Sequence, residues 1–271
     1  MFPILISIGP FHLASSSVFL ILAWCVFSFT FWRLMREYAV EEEKTFDLMF
    51  YGTILAILGA RAFYVVFSPQ EFVGDWLRIL TVWVTPGLSF YGGLFVGVAA
   101  MLLLAKRKKV RMGTILDAAA QPLAGAIIVG KIGSFLGATE VGIKSQLPGA
   151  TMYAGYADLR HPVQLYEIAV LLVMLVGAIV LERKARRQKW AFGLVGSIFF
   201  LVYAAFMFAL EFFKEGELYW RGLRINQWVL LALFCESAGA LYVRGGGRVY
   251  VRLLGRAIGG WYGRISKRHT S

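Results

Sequence analysis

The chain contains 271 residues, of which 59% are hydrophobic, and its mean hydropathy is +0.66. Soluble domains average about 45–50% apolar residues, so this composition excludes an ordinary soluble domain and predicts an all-α integral membrane protein. The formal net charge of +12 does not indicate nucleic-acid binding, because the basic residues lie in short segments between apolar runs. Cys25 and Cys235 lie within apolar runs, which predicts packed thiols rather than a disulfide or a metal pair.

Seven apolar runs, each about 20 residues long, predict seven transmembrane helices, because that length crosses the hydrocarbon core of a bilayer. Charged or turn-forming residues separate the runs. In chain order the predicted spans lie at about 14–34, 46–68, 86–105, 115–137, 163–181, 191–213 and 226–243. We therefore predict one seven-helix transmembrane domain over residues 1–243, followed by a basic tail over residues 244–271.

Basic segments alternate along the chain and predict the orientation of the bundle. They comprise Arg33, Arg36 and Lys44, then residues 106–111, then residues 183–189, and then the C-terminal tail. By the positive-inside rule this side is cytoplasmic, so the N-terminus lies outside and the C-terminus inside. The outer loops are predicted near residues 69–85, 138–162 and 214–225. In the tail, arginines recur every four residues from Arg244 to Arg256, which fits either an interfacial helix or a solvated basic tail.

Most polar side chains of the predicted spans lie in the outer membrane half. They are Arg61, Tyr64, Tyr91, Lys131, Ser134, His161, Gln164, Tyr166, Glu167, Asn226 and Gln227. The sixth span adds a stripe with spacings of four, four and three, formed by Tyr203, Met207, Glu211 and Lys214. Ionisable groups in a membrane are unfavourable unless they are paired or solvated, so this concentration predicts a functional site. Its cations suit an anionic phosphate headgroup, and its carboxylates, phenols and imidazole can supply a general base.

Two structural interpretations of these polar residues stay open at this point. In the segment HPVQLYE, at residues 161–167, His161 and Gln164 would cap a helix whose first turn Pro162 sets. The second interpretation is a set of buried ion pairs that join helices, formed by Arg61 or Lys131 with Glu167 or Glu211. Two carboxylates in the cytoplasmic half are interpreted as helix-end or topology residues, namely Asp117 and Glu236.

Six motifs lie between residues 59 and 228, a range that includes most of the chain. They are GARAFY at 59–64, GLSFYGG at 87–93, GKIGSFLGATEVG at 130–142, RHPVQLYE at 160–167, YAAFMFALEFFK at 203–214 and RINQ at 224–227. In content and order they resemble the prolipoprotein diacylglyceryl transferases, which are seven-span bacterial membrane enzymes. The resemblance implies a multi-pass protein of the bacterial cytoplasmic (inner) membrane.

The resemblance also implies an activity, which is transfer of the diacylglyceryl group of phosphatidylglycerol to the lipobox cysteine of a preprolipoprotein at the outer leaflet. No cofactor or metal is implied. A base would take the thiol proton, the thiolate would attack the glyceryl carbon, and cations would hold the departing phosphate. The catalytic residues implied are His161, Tyr203, Glu211 and Tyr91. The substrate-binding residues implied are Arg61, Lys131, Ser134, Gln164, Tyr166, Glu167 and Lys214.

Several positions depart from the family pattern. Histidine is usual at Tyr91, arginine at Lys131, Met207 and Lys214, asparagine at Ser134 and Gly137, and glutamate at Thr139, with Glu140 one residue later. Lysine keeps the charge of arginine but loses its bidentate fork, and methionine keeps neither. The alternative function is therefore a non-catalytic protein of the same fold that binds phospholipid or lipoprotein. A third hypothesis, an anion transporter, is disfavoured because the sequence lacks a paired inverted repeat.

Overall fold

A computed structural model describes residues 2–8, 11–81, 86–216 and 219–245. Helices occur at all seven positions where the apolar runs predict them: α1 (Ser15–Glu37), α2 (Glu42–Phe67), α3 (Phe90–Arg107), α4 (Met112–Leu136), α5 (Val163–Gln188), α6 (Leu194–Leu210) and α7 (Ile225–Arg244). Within the described ranges, six helices are long and apolar enough to cross a membrane, namely α1 to α5 and the helix from Leu194 to Phe213. The chain is therefore an all-α integral membrane protein. Apart from Arg244 and Gly245, the predicted tail lies outside the described residues.

In the described ranges, three short antiparallel hairpins lie outside the helices, where hydropathy alone predicts only loops. β1 (Ile4–Ile8) pairs with β2 (Phe11–Ala14) before α1. The other two hairpins are β3 (Thr151–Met152) with β4 (Leu159–Arg160), and β5 (Tyr219–Trp220) with β6 (Leu223–Arg224). Strands of two residues are too short to show the alternation that identifies a strand in a sequence, so the apolar pattern could not predict them.

The chain forms two compact units, which are described separately below. The first unit contains the described residues up to Phe27 and from Leu116 onward, and the second unit runs from Ser28 to Ile115. The single transmembrane domain over residues 1–243 stays a prediction.

In the second unit, α2 packs against α3 through glycines. A Cβ on Gly92 would overlap the side chain of Phe63 and the carbonyl oxygen of Gly59, so only glycine permits this close approach. The hydroxyl of Ser89 accepts a hydrogen bond of 3.3 Å from the Gly92 N–H and caps the start of α3. The backbone N–H of Ser89 also donates to the carbonyl of Ala60 at 2.9 Å, which ties the entry of α3 to α2.

In the first unit, α6 packs against both α5 and α7. The buried apolar core between these elements and α4 contains Ala120, Ala124, Leu171, Met174, Ala178, Phe199 and Met207. At the start of α6, the carboxylate of Asp117 accepts hydrogen bonds from the backbone N–H groups of Gly193, at 2.6 Å, and Gly196, at 2.8 Å. Asp117 lies in the second turn of α4, and its carboxylate caps the start of a neighbouring helix rather than its own.

One prediction and one of the open interpretations about individual side chains are wrong. Cys25 and Cys235 are free thiols as predicted, but both are exposed on the surfaces of their helices rather than packed. At the start of α5, Pro162 precedes the first helical residue and no side chain forms a capping hydrogen bond, so His161 and Gln164 do not cap this helix. Gln164 cannot cap it because both ends of its amide bind elsewhere, as described below.

Candidate functional site

A buried carboxylate near the start of α5 lies at the centre of the polar residues of the first unit. The side chain of Glu167 is 3% exposed, and each of its oxygens faces one ammonium group. Lys131 Nζ lies 2.7 Å from Oε2, and Lys214 Nζ lies 2.8 Å from Oε1. These two contacts compensate a carboxylate charge whose burial away from solvent would otherwise be strongly unfavourable.

Two further carboxylates join the same lysines. Glu140 Oε2 lies 2.6 Å from Lys131 Nζ and 3.4 Å from Lys214 Nζ. Glu211 Oε2 lies 3.2 Å from Lys214 Nζ. We call Lys131, Glu140, Glu167, Glu211 and Lys214 the ion cluster. It joins the end of α4, the loop that follows it, the start of α5 and the end of the sixth span.

Two members of the ion cluster that lie outside the spans, Glu140 and Lys214, have shifted pKa values. Burial by itself would raise the pKa of the Glu140 carboxyl, but the charges of Lys131 and Lys214 outweigh burial and hold this pKa below its ordinary value. Burial would likewise lower the pKa of Lys214, but the surrounding carboxylates outweigh it and raise this pKa. Glu140 and Lys214 are therefore both charged at neutral pH.

The ion cluster contains four residues that the sequence predicts for the site and one that it does not. Four predicted site residues meet there, namely Lys131, Glu167, Glu211 and Lys214. The buried pair of Lys131 with Glu167, which was one of the structural alternatives, is also present. Glu140 lies one residue after a position where the family usually has glutamate, and its carboxylate reaches both lysines.

Arg224 and Asn226 border the ion cluster from the β5–β6 hairpin and the start of α7. The Asn226 amide donates a hydrogen bond of 3.0 Å to Glu211 Oε1. Arg224 is 8% exposed, and its Nη1 lies 3.8 Å from the same oxygen. Arg224 Nη2 also donates to the carbonyl of Lys214. The sequence predicts no function for Arg224, although the motif RINQ contains it.

Gln164 organises the loop that carries Glu140. Its side chain is fully buried, its Oε1 accepts a hydrogen bond of 2.6 Å from the Tyr153 hydroxyl, and its Nε2 donates to the backbone carbonyl of Glu140. Burial raises the pKa of Tyr153 to about 12, so its phenol stays protonated and remains a donor through the neutral range. Gln164 therefore contacts protein groups at both ends of its amide, and it positions the Glu140 backbone.

His161 and Tyr166 form a pair beside the ion cluster. His161 Nδ1 lies 3.3 Å from the Tyr166 hydroxyl, and the direction of that hydrogen bond depends on the imidazole tautomer. The imidazole ring also packs edge-on against Phe213 at 5.4 Å. A Cβ on Gly142 would overlap the His161 carbonyl oxygen, so the close approach of these two backbone segments requires glycine. An imidazole bonded to a phenol is a group that can accept a proton.

The sixth-span stripe divides into a polar end and an apolar middle. Glu211 and Lys214 belong to the ion cluster, whereas Met207 is 5% exposed and lies in the apolar core with Leu171 and Phe199. Tyr203 is half-buried, stacks on Phe199 with a centroid distance of 6.2 Å, and interacts electrostatically with Glu167 and Lys214.

Ser134, near the end of α4, is half-buried, and its carbonyl accepts a hydrogen bond from the Thr139 N–H at 3.1 Å.

The second unit holds the two remaining predicted site residues. Arg61 is 7% exposed and donates to three backbone carbonyls, those of Arg78 at 2.7 Å, Ile79 at 2.9 Å and Gly87 at 2.9 Å. Its guanidinium therefore organises the backbone between α2 and α3. Tyr91, in the first turn of α3, is half-buried and packs edge-on against Phe90. The functional roles predicted for Arg61 and Tyr91 stay predictions.

Comparison with known proteins identifies one family. The family model described as "Prolipoprotein diacylglyceryl transferase" matches residues 3–243. The phosphatidylglycerol–prolipoprotein diacylglyceryl transferase of Pseudoalteromonas atlantica is 33% identical over 221 residues, which cover 79% of this chain and 76% of that protein. The protein of the same name from Nitrosomonas europaea is 31% identical over 257 residues, which cover 89% and 88% of the two chains. The one from Aeromonas salmonicida is 30% identical over 253 residues, again with coverage of 89% and 88%.

Proposed function

The chain belongs to the prolipoprotein diacylglyceryl transferase family, and we propose that it transfers the diacylglyceryl group of phosphatidylglycerol to the lipobox cysteine of a preprolipoprotein. The observation that carries this proposal is the family match over residues 3–243. The ion cluster supports it, because it fixes two ammonium groups, which can donate to phosphate oxygens, beside one buried carboxylate. Lipoprotein maturation is the process to which this transfer belongs.

The transfer is a displacement at the glyceryl carbon that bears the phosphate. A base removes the proton of the cysteine thiol, and the thiolate sulfur forms a bond to that carbon. The carbon–oxygen bond to the phosphate breaks, and its electron pair stays on the phosphate oxygen. The products are a thioether-linked diacylglyceryl cysteine and glycerol phosphate. Because negative charge grows on the departing phosphate, fixed cations beside it lower the barrier.

We assign the roles of the first unit from these requirements. Lys131 and Lys214 bind the headgroup phosphate, and Glu167 holds their ammonium groups on either side of its carboxylate. Glu211 orients Lys214, to which it is paired at 3.2 Å. His161, with Tyr166 on its Nδ1, accepts the thiol proton. Tyr203 and Ser134 contact the substrate with their hydroxyl groups, and Gln164 holds the loop of Glu140 in place.

We further propose that α7, which is 20 residues long, is a seventh span. With seven spans and the positive-inside rule, the N-terminus lies outside the bacterial inner membrane, the C-terminus lies in the cytoplasm, and the ion cluster lies at the outer leaflet. Single cysteines at Ser145 and Lys109, introduced into a chain with Cys25→Ser and Cys235→Ser, test this orientation. An impermeant maleimide should label position 145 but not position 109 in intact cells, and the reverse pattern contradicts the proposal.

The activity is tested with the full-length protein in nanodiscs that contain phosphatidylglycerol. A lipobox peptide is added, and mass spectrometry measures the mass of its cysteine. We expect a diacylglyceryl adduct in the wild type and its loss in Glu211→Gln and His161→Ala. Peptides whose cysteine is replaced by serine control for non-specific association. Absence of the adduct in the wild type, beside an active family member assayed in parallel, contradicts the proposal.

A non-catalytic protein that binds phospholipid or lipoprotein is the alternative, and the position of Met207 in the apolar core is the observation that favours it. That alternative predicts that Glu211→Gln and His161→Ala leave cellular function intact while phospholipid still copurifies. Loss of cellular function in either variant, with normal protein levels, argues against it.

A further inference from the structure

We propose that Arg224 is a phosphate-binding residue of this site, and that its Nη1 contacts the phosphate ester of the lipid headgroup or of the glycerol phosphate that leaves. This inference rests on the proposed function. The observation behind this inference is the balance of positive and negative charges in the ion cluster. The ion cluster contains two ammonium groups and three carboxylates, so its formal charge does not favour an anion. The guanidinium of Arg224 is the cation that restores the balance.

The two lysines of the ion cluster are largely engaged by carboxylates. Lys214 Nζ contacts Glu167, Glu211 and Glu140 at 2.8, 3.2 and 3.4 Å, which accounts for the three N–H groups of an ammonium. Lys131 Nζ contacts two carboxylates at 2.6 and 2.7 Å, which leaves one N–H. A phosphate that met only these lysines would compete with three carboxylates for the same donors.

Two other cations of the outer loops are paired away from the ion cluster. Arg160 Nη1 donates to the carboxylate of Glu215 and to the carbonyl of Gly142, and its guanidinium packs over the ring of Tyr156 at 4.1 Å. Lys144 is 69% exposed and pairs with Asp158 at 2.7 Å. Neither makes an ion pair with Glu140, Glu167 or Glu211 in the described part of the chain.

Arg224 differs from these cations because one edge of its guanidinium is held and the other is not. Nε and Nη2 both lie 3.2 Å from the Tyr219 hydroxyl, and Nη2 also donates to the Lys214 carbonyl. Nη1 makes no hydrogen bond within the described residues, and its ion pair with Glu211 is 3.8 Å long. The backbone of Arg224 is fixed too, because its N–H donates to Gln227 Oε1 at 2.9 Å. The geometry therefore presents two N–H groups of a pre-oriented guanidinium beside the ion cluster.

The experiment uses the full-length protein in phosphatidylglycerol nanodiscs and compares Arg224→Gln, Arg224→Lys, Arg221→Gln and Tyr219→Phe. Two constants are measured, namely KM for phosphatidylglycerol and the inhibition constant of sn-glycerol 1-phosphate. Arg221 is the matched control, because it lies in the turn of the same hairpin with its guanidinium 5.1 Å from the Trp220 ring. Tyr219→Phe removes the hydroxyl that holds Nε and Nη2 but keeps the guanidinium charge, so it separates the orientation of Arg224 from its presence.

We expect Arg224→Gln to reduce kcat/KM by about 10²-fold, which is the usual effect of removing one donor to a developing anion. Arg224→Lys should be reduced roughly tenfold, because it keeps the charge and loses the fork. Arg221→Gln should remain within about twofold of wild type, and Tyr219→Phe should lose less activity than Arg224→Gln because the guanidinium is kept. A rise in KM locates the contact on the lipid headgroup, and a rise in the inhibition constant locates it on the free product.

Unchanged constants in Arg224→Gln overturn the proposal, and so does an equal loss in Tyr219→Phe, which would indicate a structural role. Failure of the proposed function is a separate outcome, in which the wild type shows no transfer at all. In that case, binding of sn-glycerol 1-phosphate to the same nanodiscs is followed by ³¹P NMR. Weaker binding to Arg224→Gln than to Arg221→Gln supports the phosphate contact, and equal binding overturns it.

Discussion

Glu167 and Lys214 form an ion pair of 2.8 Å between the beginning of α5 and the residue that follows the sixth span. The side chain of Glu167 is 3% exposed, and its second oxygen pairs with Lys131. The pair thus joins the ends of two spans through side chains that have little contact with solvent. Removing one partner of such a pair leaves an uncompensated charge, whereas removing both does not.

Lys214→Met should destabilise the protein by about 3–5 kcal/mol, the range found when one partner of a buried pair is removed. The double variant Glu167→Gln with Lys214→Met should be less destabilised than the sum of the single variants. Unfolding in mild detergent with increasing dodecyl sulfate measures both. Lys144→Met, which removes an exposed lysine from its pair with Asp158, should have a much smaller effect, because solvent screens that pair. Equal effects of Lys144→Met and Lys214→Met would show that burial of the pair is unimportant.

The contribution of Glu140 to stability should depend on pH. Burial by itself raises its pKa, but Lys131 and Lys214 hold the folded-state pKa below the ordinary value of 4.5. A carboxyl whose pKa is depressed by folding contributes stability above its unfolded-state pKa and loses it as pH falls through the folded-state pKa. Wild type should therefore exceed Glu140→Gln in stability at neutral pH, and the difference should shrink below pH 4.5. A difference that grows on acidification would contradict the assignment.

Met207 should tolerate an apolar replacement but not a charged one. Its side chain lies in the apolar core with Ala120, Leu171 and Phe199. Met207→Leu should cost less than about 1.5 kcal/mol, because the volume is conserved. Met207→Arg should cost several kcal/mol more, because it buries an unpaired guanidinium. Thermal stability in detergent distinguishes the two, and a stable, more active Met207→Arg would show that the arginine usual in the family still reaches a polar site.

Asp117 should be important for the stability of α6. Its carboxylate accepts from two backbone N–H groups, those of Gly193 and Gly196. Asp117→Ala leaves both donors without this partner. Loss of a helix cap lowers the free energy of unfolding by about 0.5–2 kcal/mol. Buried N–H groups without an acceptor lower it further. Asp158→Ala is the matched control, because that carboxylate forms an exposed pair with Lys144, and such pairs contribute little to stability. The measurement is hydrogen exchange of the α6 amides, which should accelerate only in the Asp117 variant.

The sequence predicted the helices well and the side-chain contacts of the site only in part. All seven helices lie at the predicted positions, because a run of about 20 apolar residues satisfies its backbone groups internally in lipid. The i,i+3 relation of Glu211 and Lys214 was also predicted, and they do pair. The same helical stripe did not predict that Met207 would leave the polar group and enter the apolar core.

The contacts that could not be predicted join residues far apart in the chain. Glu140 reaches the lysines from a loop whose course depends on the hydrogen bonds of Gln164 and Tyr153. Arg224 reaches Glu211 because a two-residue hairpin turns the chain before α7. A hydropathy pattern carries no information about such turns.

By itself the sequence determined that this protein crosses a membrane, where its helices lie and to which family its motifs point. Those properties follow from composition and local spacing, since each apolar run can become a helix independently of its neighbours. Only the tertiary structure decided how the charges are distributed. It placed Lys131 and Lys214 on the three carboxylates of the ion cluster and left one edge of Arg224 without a hydrogen bond from the described residues. Which cation pairs with which carboxylate depends on distances of a few ångströms between separate elements, and packing sets those distances.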